Sequence, residues 1–374
     1  MRICIVYDCL FPHTIGGAER WYRNLAERLV ARGHEVTYLT RRQWDGEADV
    51  PGVRVLAVAP RMELYAHGRR RLLPPLAFGL GVLRHLLRHG RRYDVVHTAS
   101  FPYFPLLAAG AARKRGAYRI VVDWHEVWTR AYWRRYAGRV TGTLGWRIQR
   151  ACLRVPQRAF CFSRLHERRL REEGLTAPLT QLEGQYAGPP PPEAPRAARG
   201  VVVFAGRHLT EKRVPSLVEA LARIPELRGE IYGDGPDRPA VLAAIGEHGL
   251  ESRVSAPGFV ERRVLDEALG TALCFVLPSE REGYGLVVLE ASAQGVPVVV
   301  VEGPENAATE LVEEGTNGAV ARSVDELADA IQRVRAGGPE LRASTLAWFK
   351  ANESRLSLES SLQRVLAAYA SAAS

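Results

Sequence analysis

Residues 279–301 read SEREGYGLVVLEASAQGVPVVVV. Glycine is costly inside a helix and at home in loops, so Gly283 and Gly285 keep a regular helix away from Glu282. The spacing predicts a helix from near Gly285 to about Gln294, stopped by Gly295 and barred from continuing by Pro297. The run VPVVVV that follows is apolar without alternation, the mark of a strand covered on both faces. With ALCFVLPS before it, the segment is strand, loop, helix, strand: a unit of a parallel sheet flanked by helices.

The same pattern repeats outward. RICIVYD, HEVTYLT, VRVLAVA, YDVVHTAS, YRIVVDW and RAFCFS lie on the N-terminal side, and GVVVFAG, RGEIYGDG and RVSAPGFV on the C-terminal side. AERWYRNLAERLVARG is an amphipathic helix ending at Gly33. Between the two series stands YAGPPPPEAPRAARG, whose prolines cannot continue a helix or a central strand and make a semi-rigid spacer. The expected fold is α/β: two Rossmann-like, doubly wound parallel-sheet domains facing across a cleft. The expected bounds are a first domain over 1–188, a linker over 189–198, a second domain over 199–350 and a final helical segment over 351–374. Ligands of such sheets bind in loops beyond the carboxyl ends of the strands.

The 374 residues suit about two domains. A composition 47% hydrophobic and 25% charged is that of a globular protein, and no apolar run reaches the roughly 20 residues of a membrane span. The first strand starts at residue 2, so no signal peptide is expected before it. Five cysteines without metal-type spacing read as buried thiols in a reducing cytosol. The net charge of +10 is uneven: residues 1–190 carry 32 Lys and Arg against 15 Asp and Glu, and the rest carry 19 against 26. The basic half suits an anionic partner or surface, or simply an Arg-rich wet surface.

Glu282 and Glu290 are the informative carboxylates. One lies in the loop and the other on the second turn of the helix, so they stand roughly 8–12 Å apart at 1.5 Å per residue. That is about the distance from a hexose to a ribose joined by a diphosphate. Carboxylates accept paired hydrogen bonds from vicinal diols, and the helix start between them offers free N–H groups to an anion.

The stretch EREGYGLVVLEASAQGVPVV resembles the signature of retaining glycosyltransferases of the GT-B fold, specifically family 4, the glycosyl transferases group 1. The resemblance covers nearly the whole chain and rests on several motifs in order. In FAGRHLTEKR, Arg207 and Lys212 match the pair that clamps the donor diphosphate; without a metal, two cations must neutralise the leaving group. In HTIGGAER, Gly16 and Gly17 let backbone approach a phosphate or sugar. In VVDWHEVW, His125 is similar to a histidine that bonds the donor sugar near the reaction centre, with Glu126 after it. IYGDGP (Gly233, Gly235) and APGFV (Gly258, Phe259, Val260) resemble nucleoside-holding loops, and Glu282, Gly283, Tyr284, Gly285, Leu286 and Glu290 complete the donor set. One departure is EGPENAATELV, where Pro304-Glu305-Asn306 replaces a glycine-rich loop; Asn306 or Ala307 is expected to meet the sugar instead.

The resemblance implies transfer of a sugar from a UDP- or GDP-linked donor to a hydroxyl acceptor with retention, by front-face attack, with residues 1–188 binding the acceptor, 199–350 binding the nucleotide sugar and the segment 351–374 returning to the first domain. It implies no metal and no other cofactor, with His125, Glu282, Arg207 and Lys212 catalytic. Acceptor candidates are Glu19, His97, Glu126 and Trp128. The acceptor class stays open among lipid-linked saccharides, other glycans and small natural-product precursors. Residues 67–94, HGRRRLLPPLAFGLGVLRHLLRHGRRYD, combine a Leu76/Leu80/Leu83/Leu87 stripe with arginines. They read either as a helix packed on the sheet or as a surface for an anionic membrane. The expected location is therefore the cytoplasm, with the inner face of the membrane as a peripheral alternative. Rival readings are a nucleotide-sugar epimerase or a phosphorylase of the same fold. No zinc, helix-turn-helix or base-stacking motif supports a nucleic-acid binder.

Overall fold

Unbroken apolar runs become the central strands of two parallel sheets. The computed structural model describes residues 1–371 apart from 47, 49, 64, 67 and 68. It divides into unit 1, Met1–Glu183 with the chain from Glu359 onward, and unit 2, Gly184–Leu358.

Unit 1 contains β1 (Arg2–Val6), α1 (Gly17–Ala31), β2 (Glu35–Arg41), β3 (Val53–Ala59), the short pair β4 (Tyr65–Ala66) and β5 (Arg69–Arg70), and α2 (Leu73–His89). It continues through β6 (Val95–Ala99), α3 (Tyr103–Gly116), β7 (Arg119–Trp124), α4 (Arg130–Ala137), α5 (Arg139–Leu153), β8 (Arg158–Cys161), α6 (Arg164–Glu172) and β9 (Leu179–Gln181). Its seven-stranded sheet has the order β3-β2-β1-β6-β7-β8-β9, parallel throughout.

Unit 2 contains β10 (Val201–Ala205), α7 (Val214–Ala222), β11 (Arg228–Tyr232), α8 (Arg238–Glu247), β12 (Val254–Gly258), α9 (Arg262–Thr271) and β13 (Cys274–Leu277). After these come β14 (Arg281–Glu282), α10 (Leu286–Ser292), β15 (Val298–Val301), β16 (Glu305–Asn306), β17 (Gly318–Ala321) and α11 (Leu327–Leu356). The order β12-β11-β10-β13-β15-β17 is again parallel.

Both sheets grow from their first strand one way and then the other. The order therefore reverses between β1 and β6 in unit 1 and between β10 and β13 in unit 2. Such reversal points open a crevice at the carboxyl ends of the two strands. Val298, Val299, Val300 and Val301 are all buried, as double coverage requires. Each contributes on the order of 1.5–3 kcal/mol by leaving water. The five cysteines are buried, and none is in a disulfide among the described residues.

The proline run is not a loose spacer. Tyr186 donates to the Pro189 carbonyl at 2.7 Å, Lys350 to that of Glu193 at 3.0 Å and Arg342 to that of Arg196 at 2.9 Å, all within unit 2. The final helix, α12 (Leu358–Ser371), begins later than 351 because Ser357 is extended after α11 ends. Within unit 1 its Glu359 pairs with Arg32 at 2.6 Å and its Arg364 donates to the Gln181 carbonyl at 2.7 Å. Residues 372–374 of the expected terminal segment lie outside the described residues.

Candidate active site

The reversal point of unit 2 is where the sequence motifs meet. The loop after β10 carries Glu211-Lys212-Arg213, and the loop after β13 carries Glu280-Arg281-Glu282. These triplets face each other in three ion pairs. Lys212 Nζ lies 2.6 Å from Glu282 Oε1, Arg281 lies 2.5 Å from Glu211 and Arg213 lies 2.9 Å from Glu280. The Glu280 amide also donates to the Glu211 carbonyl at 2.8 Å. Ser279 Oγ donates to Glu282 Oε1 at 2.7 Å. Glu282 is buried, and a buried carboxylate costs heavily unless it is paired and hydrogen-bonded, as here.

α10 starts at Leu286 and ends at Ser292, a little inside the expected bounds, and Gly295 takes a positive φ of 70° after it. Gly285 takes φ 100°, and a Cβ there would stand 2.7 Å from that of Ala308, so glycine is demanded twice over. No side chain caps the helix start, and of its first amides that of Val288 donates to the Gly285 carbonyl at 2.9 Å. Glu290 is buried on the second turn and pairs with Arg262 of α9 at 3.0 Å; the same guanidinium lies 2.8 Å from Asp266.

Asn306 does not serve as the sugar ligand expected of it. It is buried beside Glu282 in the β14–β16 register, and its amide donates to the carbonyls of Ser279 at 3.1 Å and Val301 at 2.8 Å. Its side-chain oxygen accepts from the Ala308 amide at 3.0 Å. The residue braces the Glu282 loop against the end of β15. Ala307 is buried as well.

Three neighbouring strand ends are laced together. Gly206 N donates to Tyr232 O at 3.1 Å, His208 N to Asp234 O at 2.8 Å and Gly233 N to Gly258 O at 2.8 Å. Gly233 has φ 115°, and a Cβ would meet the Gly206 carbonyl oxygen at 1.9 Å. Arg207, half-buried, extends from this lacework, and Phe259 stands 56% exposed at its rim. Val260 is half-buried beside it.

In unit 1 the expected residues separate into two groups. His125, after β7, is half-buried with its ring stacked on Phe162 at 4.5 Å and 4°. Its Nε2 has no hydrogen-bond partner among the described residues. Burial lowers its pKa, outweighing the opposite pull of Asp123 and Glu126. His97 is a correction: singled out as an acceptor candidate, it is wholly buried. Its Nε2 lies 2.8 Å from Asp123 Oδ1, and its Nδ1 is 2.6 Å from the Tyr369 hydroxyl of α12. The side chain of a central strand residue points into the helix layers as readily as toward the strand end.

Glu19 and Trp128 are covered as well, while Glu126 is half-buried. Glu19 is buried, its carboxylate folded over Gly16 so closely that a Cβ there would lie 2.3 Å from Oε2. Gly17 opens α1 with nothing within 4 Å of where its Cβ would stand. Trp128 is buried in an aromatic cluster, 4.7 Å from Trp133 and 5.0 Å from Tyr132, and donates to Glu126 at 2.8 Å.

Sequence reasoning passed over Ser279, Arg262 and Asp123. Ser279 opens the quoted motif, and its closeness to a buried carboxylate was the available signal. Arg262 is 28 positions from its partner, and no local pattern joins the two. Asp123 sits two residues before the singled-out His125 on a fully buried strand, where a carboxylate needs a partner. Among the described residues no three His, Cys, Asp or Glu side chains gather in a metal-holding cluster.

Comparison with known proteins covers both units. Residues 15–181 match the family model described as Glycosyltransferase Family 4, and residues 199–336 match that described as Glycosyl transferases group 1. The chain is 30% identical over 313 residues to D-inositol 3-phosphate glycosyltransferase of Xylanimonas cellulosilytica, covering 74% of this chain and 73% of the relative. It is 36% identical to alpha-D-kanosaminyltransferase of Streptomyces kanamyceticus over 149 residues, 38% of either chain. Its fold matches that of HepE from Anabaena, solved with UDP and glucose, with a TM-score of 0.74 and 18% identity, over 98% of this chain and 99% of that one.

Proposed function

The chain belongs to the group 1, family 4 glycosyltransferases of the GT-B fold, and from that premise we propose that it moves a sugar from a UDP- or GDP-linked donor to a hydroxyl acceptor with retention. The observation that carries this reading is the Lys212–Glu282 pair, braced by Ser279, at the reversal point of unit 2. A cation and a carboxylate held there suit a diphosphate and the hydroxyls of the sugar attached to it.

In the proposed reaction the bond from the anomeric carbon to the phosphate oxygen breaks. The acceptor oxygen bonds to the same face, and its proton passes to the departing phosphate. Arg207, Lys212 and the uncapped amides of α10 take up the charge that develops on the diphosphate. No metal is required in this scheme, because the two side-chain cations supply the neutralisation. Glu282 holds the hexose and Glu290 the ribose; Arg262 fixes the orientation of Glu290. The half-buried His125, its pKa lowered and its Nε2 without a hydrogen-bond partner among the described residues, suits a hydrogen bond to the sugar. Gly16, Gly17, Gly233, Phe259, Val260, Gly283, Tyr284, Gly285 and Leu286 complete the proposed donor set, and Glu126 remains an acceptor candidate.

The test is nucleoside diphosphate release from UDP- and GDP-sugars in the presence of hydroxyl acceptors, with the product's anomeric configuration read by NMR. Lys212→Ala and Glu282→Gln should each lower kcat by about 10²-fold or more, the usual cost of removing a group that stabilises developing charge. Chelation with EDTA should leave the rate unchanged. A product of inverted configuration would eliminate the front-face route.

A further inference from the structure

Helix α2 presents leucine to water on the face turned away from its own core. Phe78, Val82 and Leu86 are fully buried and pack it onto unit 1. On the opposite side Leu73, Leu76 and Leu80 are 58%, 45% and 67% exposed, and Leu87 is exposed about two turns further on. Arg84 and Arg88, both exposed, flank this row; neither makes an ion pair among the described residues. The arginines thus stand beside the exposed leucines, not on a separate wet face. From residue 64 to residue 93 the chain holds seven arginines and no Asp or Glu. Residues 64, 67 and 68 of this basic stretch lie outside the described residues.

We propose that this face of α2 docks in the plane of an anionic lipid bilayer, the leucines entering the headgroup boundary and the arginines meeting lipid phosphates. Apolar residues on one side of a helix with cations beside them are what interfacial binding needs. No helix among the described residues is long and apolar enough to cross a membrane, so α2 would lie on the surface and not span it. The other occupant the pattern suggests is a second copy. Leu73, Leu76, Leu80, Leu83 and Leu87 follow the 3-4 spacing of a coiled-coil seam. Charge decides between them. A second copy would set Arg84 and Arg88 against their own counterparts with no carboxylate between them, under three heptads of contact, and Leu83 is partly buried against the core. An anionic bilayer supplies the missing negative charge. The consequence for function, an acceptor presented at the membrane, rests on the transfer reaction proposed above; the docking itself does not.

Vesicle co-sedimentation of the full chain tests this, with phosphatidylcholine vesicles beside vesicles containing phosphatidylglycerol, at low and high salt. Binding to the phosphatidylglycerol vesicles alone is expected, weakened by salt. It should fall about fivefold for each arginine removed in Arg84→Ala/Arg88→Ala, and be lost in Leu76→Asp/Leu80→Asp. These side chains are exposed, so thermal unfolding of the variants should match the parent, and UDP and GDP binding, measured alongside, should be untouched. No binding by the parent chain, equal binding to both vesicle types, or binding indifferent to the variants would overturn the proposal. So would a concentration-dependent dimer abolished by Leu80→Asp. Loss of nucleotide binding in the parent chain would instead count against the transferase site.

Discussion

At Asp123 two opposing effects meet. Burial pushes the carboxyl pKa up, but attraction to His97, the contact with it, His125 and the 2.7 Å bond from Trp21 Nε1 outweigh burial and hold it below the usual carboxylate range. The unfolded value lies near 4. A carboxyl with a depressed folded pKa stabilises the fold fully above that unfolded value and loses its contribution as pH falls through the folded one. Asp123→Asn should therefore cost about 1–3 kcal/mol near neutral pH, and the gap from the parent should shrink as pH drops below about 4. Urea unfolding at several pH values reads this directly. Tyr369→Phe, which removes a buried partner of His97, should cost a similar amount without that pH dependence. An equal gap at every pH for Asp123→Asn would contradict the assignment. None of this network was legible in the sequence. His97 and Tyr369 are 272 positions apart, and only the folded chain shows that a histidine on β6 faces a terminal helix. Lys212 and Glu282 were each singled out through a separate motif, but that they pair with one another is visible only in the folded chain.

At the scale of elements, the strand ends of unit 2 act as one scaffold. Gly206, Gly233 and Gly258 hold three loops together by main-chain bonds, so the proposed donor site is set by backbone that side-chain changes do not readily move. Gly233→Ala would introduce both a positive-φ penalty and a clash with a carbonyl oxygen at 1.9 Å. Gly249→Ala, at φ 64° with open space around it, introduces the first penalty alone. We expect about 1–2 kcal/mol for Gly249→Ala and clearly more for Gly233→Ala by equilibrium unfolding. Equal costs would mean that the loops give way and are not a scaffold. Strands and helix α10 were readable because an unbroken apolar run, a glycine stop and a proline are local signals. The late start of α12 and the fastening of the proline run were not. They depend on Ser357, Arg342 and Lys350, which act through contacts 146 or more positions away in the two anchoring bonds.

Over the whole molecule, one strand order is used twice. The duplicated architecture was legible as two series of apolar strands, and the division of the chain near the proline run followed from it. The two sheets nevertheless carry different chemistry. Unit 2 builds its reversal point from facing ion pairs, while unit 1 buries its carboxylate and histidine in an internal network and sets two of its exposed arginines, Arg84 and Arg88, beside the leucine row of α2. Part of the uneven charge of the sequence thus finds a location that composition alone could not tell from an ordinary wet surface.

The central claim is that unit 2 holds a nucleoside diphosphate through Lys212 and Glu290. The most direct test is a thermal-shift titration of the purified chain with UDP, GDP, ADP and TDP, run beside Lys212→Ala and Glu290→Ala. A ligand that binds only the folded chain stabilises it by about 2.7 kcal/mol at a hundredfold excess over Kd. A rise in Tm with UDP or GDP, reduced in both variants, is the predicted result. No shift with any of the four nucleotides, or a shift that both variants retain in full, would contradict the account.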